Sequence, residues 1–121
     1  AASPGRRAEV ESWGVETAAV GDDGVAGRLS PLEIARLLGA REVQEVLLEG
    51  GPTLAGSWWS AGLIDRVVAF VAPRMISGTS LRSPLQGEGG ASMDCAVSLR
   101  EVQLQRLGDD VCISGYLREA F

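Results

Sequence analysis

The apolar residues of this 121-residue chain fall into short runs separated by breaks rich in glycine and proline, and the spacing within each run predicts an element. Val10 and Trp13, three apart and followed by Gly14, predict the end of a helix over residues 7–13. Residues 15–20 fit a strand, and Gly21-Asp22-Asp23-Gly24 fits a turn. Ser30-Pro31-Leu32-Glu33 has the composition of a capping box, in which serine accepts an orphan amide, proline takes the first helical position and glutamate reaches back. The short helix it opens runs to about Leu38, with Gly39 suited to its C-terminal cap. Residues 43–48 read as a buried strand that stops at Glu49, turns through Gly50-Gly51 and enters a helix at Pro52.

That helix, over residues 51–61, leads to a second apolar run at 66–71. The pattern predicts a strand, helix and strand joined by a right-handed crossover, hence parallel strands. Trp58 and Trp59 stand about 100° apart on the helix, so one faces the sheet and the other a flank, where a subunit contact is an option. After Pro73, residues 77–93 are rich in glycine and serine and read as a long surface loop. Residues 97–106 and 111–117 then form two β-like runs joined at Gly108-Asp109-Asp110, an antiparallel hairpin. The two aspartates read as turn residues pointing apart, and Asp65 as a cap or turn residue before its strand. The sum is one α/β domain over residues 1–121, a mixed, mostly parallel sheet flanked by helices and ending in an antiparallel hairpin.

Composition narrows the chemistry. The chain has no histidine, lysine or asparagine, so a Ser-His-Asp relay, a histidine zinc site, a Schiff-base lysine and a P-loop lysine all drop out. Hydride transfer survives, because a nicotinamide cofactor carries the difficult chemistry and the protein binds, orients and excludes water. A net charge of −5, with only Arg6 and Arg7 adjacent among the arginines, argues against nucleic acid. No run approaches the roughly 18 apolar residues of a membrane span, and no secretory start is evident, so a cytoplasmic setting is expected. Cys95 and Cys112 lack metal-ligand spacing and read as packed thiols; no metal is expected.

The turn at residues 49–55 carries the strongest candidate chemistry. Two glycines remove side chains where backbone passes close to a ligand, and the amides after Pro52 point outward at the positive end of a helix, suited to phosphate. The same pattern also serves as a plain strand-to-helix turn. On the residues alone, Glu49 accepts amides of the turn or pairs with an arginine. Glu49-Gly50-Gly51-Pro52-Thr53-Leu54, Ala61-Gly62-Leu63-Ile64-Asp65, Ala72-Pro73 and Leu107-Gly108-Asp109-Asp110-Val111, in that order, resemble the reductase domain of the riboflavin-biosynthesis deaminase-reductase family. The resemblance spans nearly the whole chain and corresponds to the C-terminal half or so of that reductase domain.

The resemblance implies a dihydrofolate-reductase-like fold and NADPH-dependent reduction of a ribosylaminopyrimidine phosphate to its ribitylamino form. It places Glu49 at the substrate and Gly50, Gly51, Pro52, Thr53, Leu54 and Ala55 at the cofactor, with Ser57 a weaker addition, and it names no residue for the chemical step. It implies a homodimer. Two alternatives stay open: a non-catalytic fragment or oligomerisation module of the same fold, and a related reductase acting on another pterin or pyrimidine.

Overall fold

The computed structural model describes residues 3–24, 27–77, 83–87, 89 and 92–118; the expected loop at 77–93 lies partly outside them. The chain divides into two compact units, Ala1–Val46 and Leu47–Phe121.

In the first unit, helix α1 (Pro4–Ser12) starts where the Ser3 hydroxyl accepts the Arg6 amide at 3.3 Å, and Gly14 turns the chain away at φ 81°. Bonds from Thr17 and Arg7 hold the exposed Glu11 carboxyl below its usual range. Helix α2 (Pro31–Gly39) starts the same way, with the Ser30 hydroxyl accepting the Glu33 amide at 3.3 Å. The other half of the expected capping box is rearranged. The Ser30 amide goes to the Gly21 carbonyl at 2.9 Å, which frees the Glu33 carboxylate to accept the Gly21 amide. The C-terminal cap also moves. Val43 donates to Leu38 O and Glu42 to Gly39 O, so Glu42, at φ 61°, holds the left-handed position expected of Gly39.

Neither residues 15–20 nor 43–48, expected as strands from their apolar pattern, form one. A strand exists only as one side of a hydrogen-bonded ladder, and among the described residues no neighbour supplies it. Leu47, expected to be buried, is 81% exposed.

The second unit holds helix α3 (Pro52–Ser60), strand β1 (Arg66–Val71), a 3-10 turn at Met93–Cys95, and strands β2 (Arg100–Leu107) and β3 (Asp110–Tyr116). The sheet order is β1-β3-β2, and both pairings are antiparallel. The architecture is therefore mixed α/β with a three-stranded antiparallel sheet, and the parallel pairing expected between residues 43–48 and 66–71 is not among its ladders. The apolar period fixes which residues of β1 share a face but not which strand lies beside it. The neighbour proves to be β3, more than forty residues along the chain, pairing from Arg66 opposite Tyr116 to Val71 opposite Val111.

The hairpin is as expected, and its details follow from three residues. Leu107 pairs with Asp110 across Gly108-Asp109. Gly108 has φ 63° while Asp109 is not in the left-handed region, the type II′ pattern that matches strand twist. One extra residue between Arg100 and Gln103 makes a bulge, with Glu101 at φ 50°. A Cβ on Gly115 would lie 2.9 Å from both Arg100 O and Leu99 Cβ, so the bulged strand closes on the only residue type that leaves it room. The core is thin: Trp58 and Ser114 are each 8% exposed, whereas Phe70 and Leu104 are 67% and 71% exposed.

Candidate functional site

Among the described residues, each of the three α-helices starts with proline, but only two receive a side-chain cap. Ser3 and Ser30 cap α1 and α2; at α3 the N-cap is Gly51, which makes no side-chain cap bond, and no acidic residue lies in the first turn. The Ala55 amide reaches Gly51 O at 3.0 Å, which leaves the amides of Thr53 and Leu54 as the helix's orphan donors. They sit at the positive end of the helix dipole.

The two glycines before Pro52 differ in what surrounds them. Gly51 has φ 85° and ψ 176°, a conformation confined almost entirely to glycine, and a Cβ there would meet nothing within 4 Å. The space above the turn is open. Gly50 instead faces Leu54, whose Cδ2 would lie 2.2 Å from an added Cβ. Leu54 thereby covers the turn's inner side while remaining 39% exposed.

The other expected site residues follow along the same segment. Glu49 stands exposed at the entrance to the turn, and among the described residues neither a turn amide nor an arginine is bonded to it. Both partners expected from the residues alone are therefore missing. Ala55 and Ser57 are half-buried, and the Ser57 hydroxyl donates to Leu54 O at 2.8 Å within its own helix. Trp58 is buried and Trp59 half-buried, the inward and flanking pair expected of neighbours on a helix. Trp59 lines a shallow cleft with Gly62, Ile64, Val97, Leu117 and Arg118, at the opposite end of α3 from the glycines. Asp65 works in its backbone and side chain, accepting the Leu117 amide at 2.8 Å and pairing with Arg118 at 3.5 Å.

One residue at the turn escaped the sequence reading. The Gln86 amide donates to Pro52 O at 3.0 Å, and the Thr53 hydroxyl donates to Gln86 Oε1 at 2.8 Å. The expected surface loop is thus fastened to α3 at Gln86. Gly56 carried the signal, because a glycine inside a helix marks close approach of another backbone. A Cβ there would stand 1.6 Å from the Gln86 carbonyl oxygen.

The family model of the RibD C-terminal domain matches residues 5–113. The chain is 38% identical over 90 residues to the riboflavin biosynthesis protein PYRR, chloroplastic, of Arabidopsis thaliana, covering 74% of this chain and 15% of that protein. It is 30% identical over 86 residues to riboflavin biosynthesis protein RibD of Actinobacillus pleuropneumoniae, covering 71% of this chain and 23% of the relative. With RibD of Mycobacterium tuberculosis the identity is 36% over 84 residues, 69% of this chain and 24% of the relative. The chain therefore spans a quarter or less of the length of these relatives.

Proposed function

We propose that this chain, which belongs to the RibD C-terminal domain family, supplies the cofactor-binding part of an NADPH-dependent reductase in riboflavin biosynthesis. The observation that carries this reading is the uncapped start of α3, where two amides without a helical partner follow a glycine whose Cβ position is open. Family membership and the riboflavin-biosynthesis names of the relatives supply the pathway.

The turn fits a dinucleotide phosphate. The amides of Thr53 and Leu54 donate to phosphate oxygens, and the glycines keep side chains out of the approach. Leu54 and Ala55 offer apolar surface beside the polar end, while Pro52 presets the first helical φ so the amides need little ordering on binding. Ser57, already bonded to Leu54 O, contributes position more than a free hydroxyl. NADPH, when bound, would supply a hydride to the sugar carbon of a ribosylaminopyrimidine phosphate and leave as NADP+, and a proton from water would complete the change from ribosyl to ribityl group. Glu49, exposed next to the turn and without a bond among the described residues, accepts hydrogen bonds from the substrate and fixes its register against the cofactor. A second copy of the chain completes the assembly as a homodimer.

An acid in the first turn separates a phosphate site from a structural turn. Leu54→Glu favours the helix start by about 0.3–1 kcal/mol through the dipole, yet repels a phosphate. NADPH affinity of the intact protein, followed by fluorescence titration, is expected to fall at least about tenfold and to recover partly in salt, with thermal stability held. A parent protein without NADPH affinity, or a folded variant titrating like the parent, overturns the reading.

A further inference from the structure

We propose that Gln86 is a positioning residue for the cofactor turn: residues 83–87 form a strap that holds the first turn of α3 from the side, replacing the absent cap while leaving the helix end open. The inference rests on the reading of that turn as the dinucleotide site. A helix start must be held in some way, since its first amides lack intrahelical partners and its backbone frays. Serine hydroxyls do this for α1 and α2, and in doing so each occupies an amide. A serine at α3 would consume a donor that phosphate needs. The strap avoids the competition, because its bonds go to groups that phosphate does not use. The Gln86 amide is given to the Pro52 carbonyl, and Gln86 Oε1 accepts the Thr53 hydroxyl. Among the described residues, no side chain is bonded to the Thr53 or Leu54 amide.

The contact is tight enough to have shaped the sequence at three positions. Gly56, one of the most buried residues of α3, has no side chain because the Gln86 carbonyl occupies that space. Thr53 supplies a hydroxyl that can reach sideways from the second helical position. Gln86 provides backbone and side-chain atoms at once, so one residue grips consecutive positions of the helix.

The test measures the unliganded turn and cofactor binding separately, on the intact protein. In Gln86→Ala, hydrogen exchange of the Ala55 amide, bonded to Gly51 O, is expected to quicken without NADPH present. NADPH affinity is expected to fall about three- to tenfold, the worth of one neutral hydrogen bond. Thr53→Val removes the same bond from the other side and should reproduce both effects, and the double variant should be no weaker than the worse single one. Gln86→Glu keeps an oxygen to accept from Thr53 and should restore Ala55 protection. Parent-like exchange and affinity in Gln86→Ala, or additive losses in the double variant, overturn the strap while the cofactor site stands. If the parent itself fails to bind NADPH, the site reading falls and the inference with it.

Discussion

Glu42 sits at φ 61° just beyond α2, a conformation that costs a side chain with a Cβ about 1–2 kcal/mol and glycine almost nothing. Its place is fixed by the bonds of Val43 to Leu38 O and of its own amide to Gly39 O. Glu42→Gly is therefore expected to raise stability by roughly 0.5–1 kcal/mol, less than the full strain because glycine gains freedom in the unfolded chain. Thermal or urea unfolding checks it; an unchanged or lower midpoint refutes it. Glu49 differs in that no bond to it is seen among the described residues. Glu49→Gln keeps its shape and removes its charge, so use of the pyrimidine substrate is expected to weaken while NADPH binding stays within about threefold, under ~0.7 kcal/mol. Joint loss of both ligands in parallel titrations would assign the residue to the turn's own support.

Among the elements, α3 shows how tertiary contact reverses a local preference. On a bare helix Gly56→Ala gains up to about 1 kcal/mol, because alanine is the better helix former. Here the new methyl would stand 1.6 Å from the Gln86 carbonyl oxygen, a backbone atom that cannot rotate away. The expected result is net loss of stability with displacement of residues 83–87, seen as shifted Gln86 resonances and a lower melting temperature. A stabilised variant with an undisturbed Gln86 would show that the strap is weakly held. The β2–β3 hairpin depends on its turn in the same way. Gly108→Val forces a β-branched residue to φ 63° at the turn's first central position, costing about 1–3 kcal/mol, with fraying expected first at the Leu107–Asp110 pair.

At the scale of the whole molecule, the sheet leaves more apolar surface than a folded chain ordinarily presents to water. Val71, Val102 and Leu104, on one side of the sheet, are 51%, 52% and 71% exposed, and Phe70, on the other, is 67% exposed. Among the described residues, β1 and β2 are both edges. Open edges beside exposed apolar faces are templates for association. These 121 residues alone are expected to self-associate at micromolar concentration in sedimentation experiments and to show no reductase turnover. Turnover is expected from a longer polypeptide that joins these residues to the sequence preceding the matched region in the RibD relatives. A monomeric, well-folded preparation of the 121 residues that oxidises NADPH with the pyrimidine substrate would overturn both expectations.

What the sequence determined by itself was local. The Ser30-Pro31 start of α2, the hairpin turn at Gly108-Asp109-Asp110 and the Gly-Gly-Pro turn are set by neighbours within four residues, so their side-chain chemistry speaks directly. The motifs resembling the riboflavin-biosynthesis reductases were legible for the same reason, and the family match agrees with them. Only the tertiary structure decided which strand lies beside β1, because an apolar period orients faces and leaves partners open. It also decided that residues 15–20 and 43–48 lack ladders, since apolar pattern cannot supply a neighbour. Gly39 yielded its capping place to Glu42 through bonds that run back to Leu38 and Gly39. Gln86 was invisible for the plainest physical reason: its partners lie more than thirty residues away, and only folding brings them within 3.0 Å.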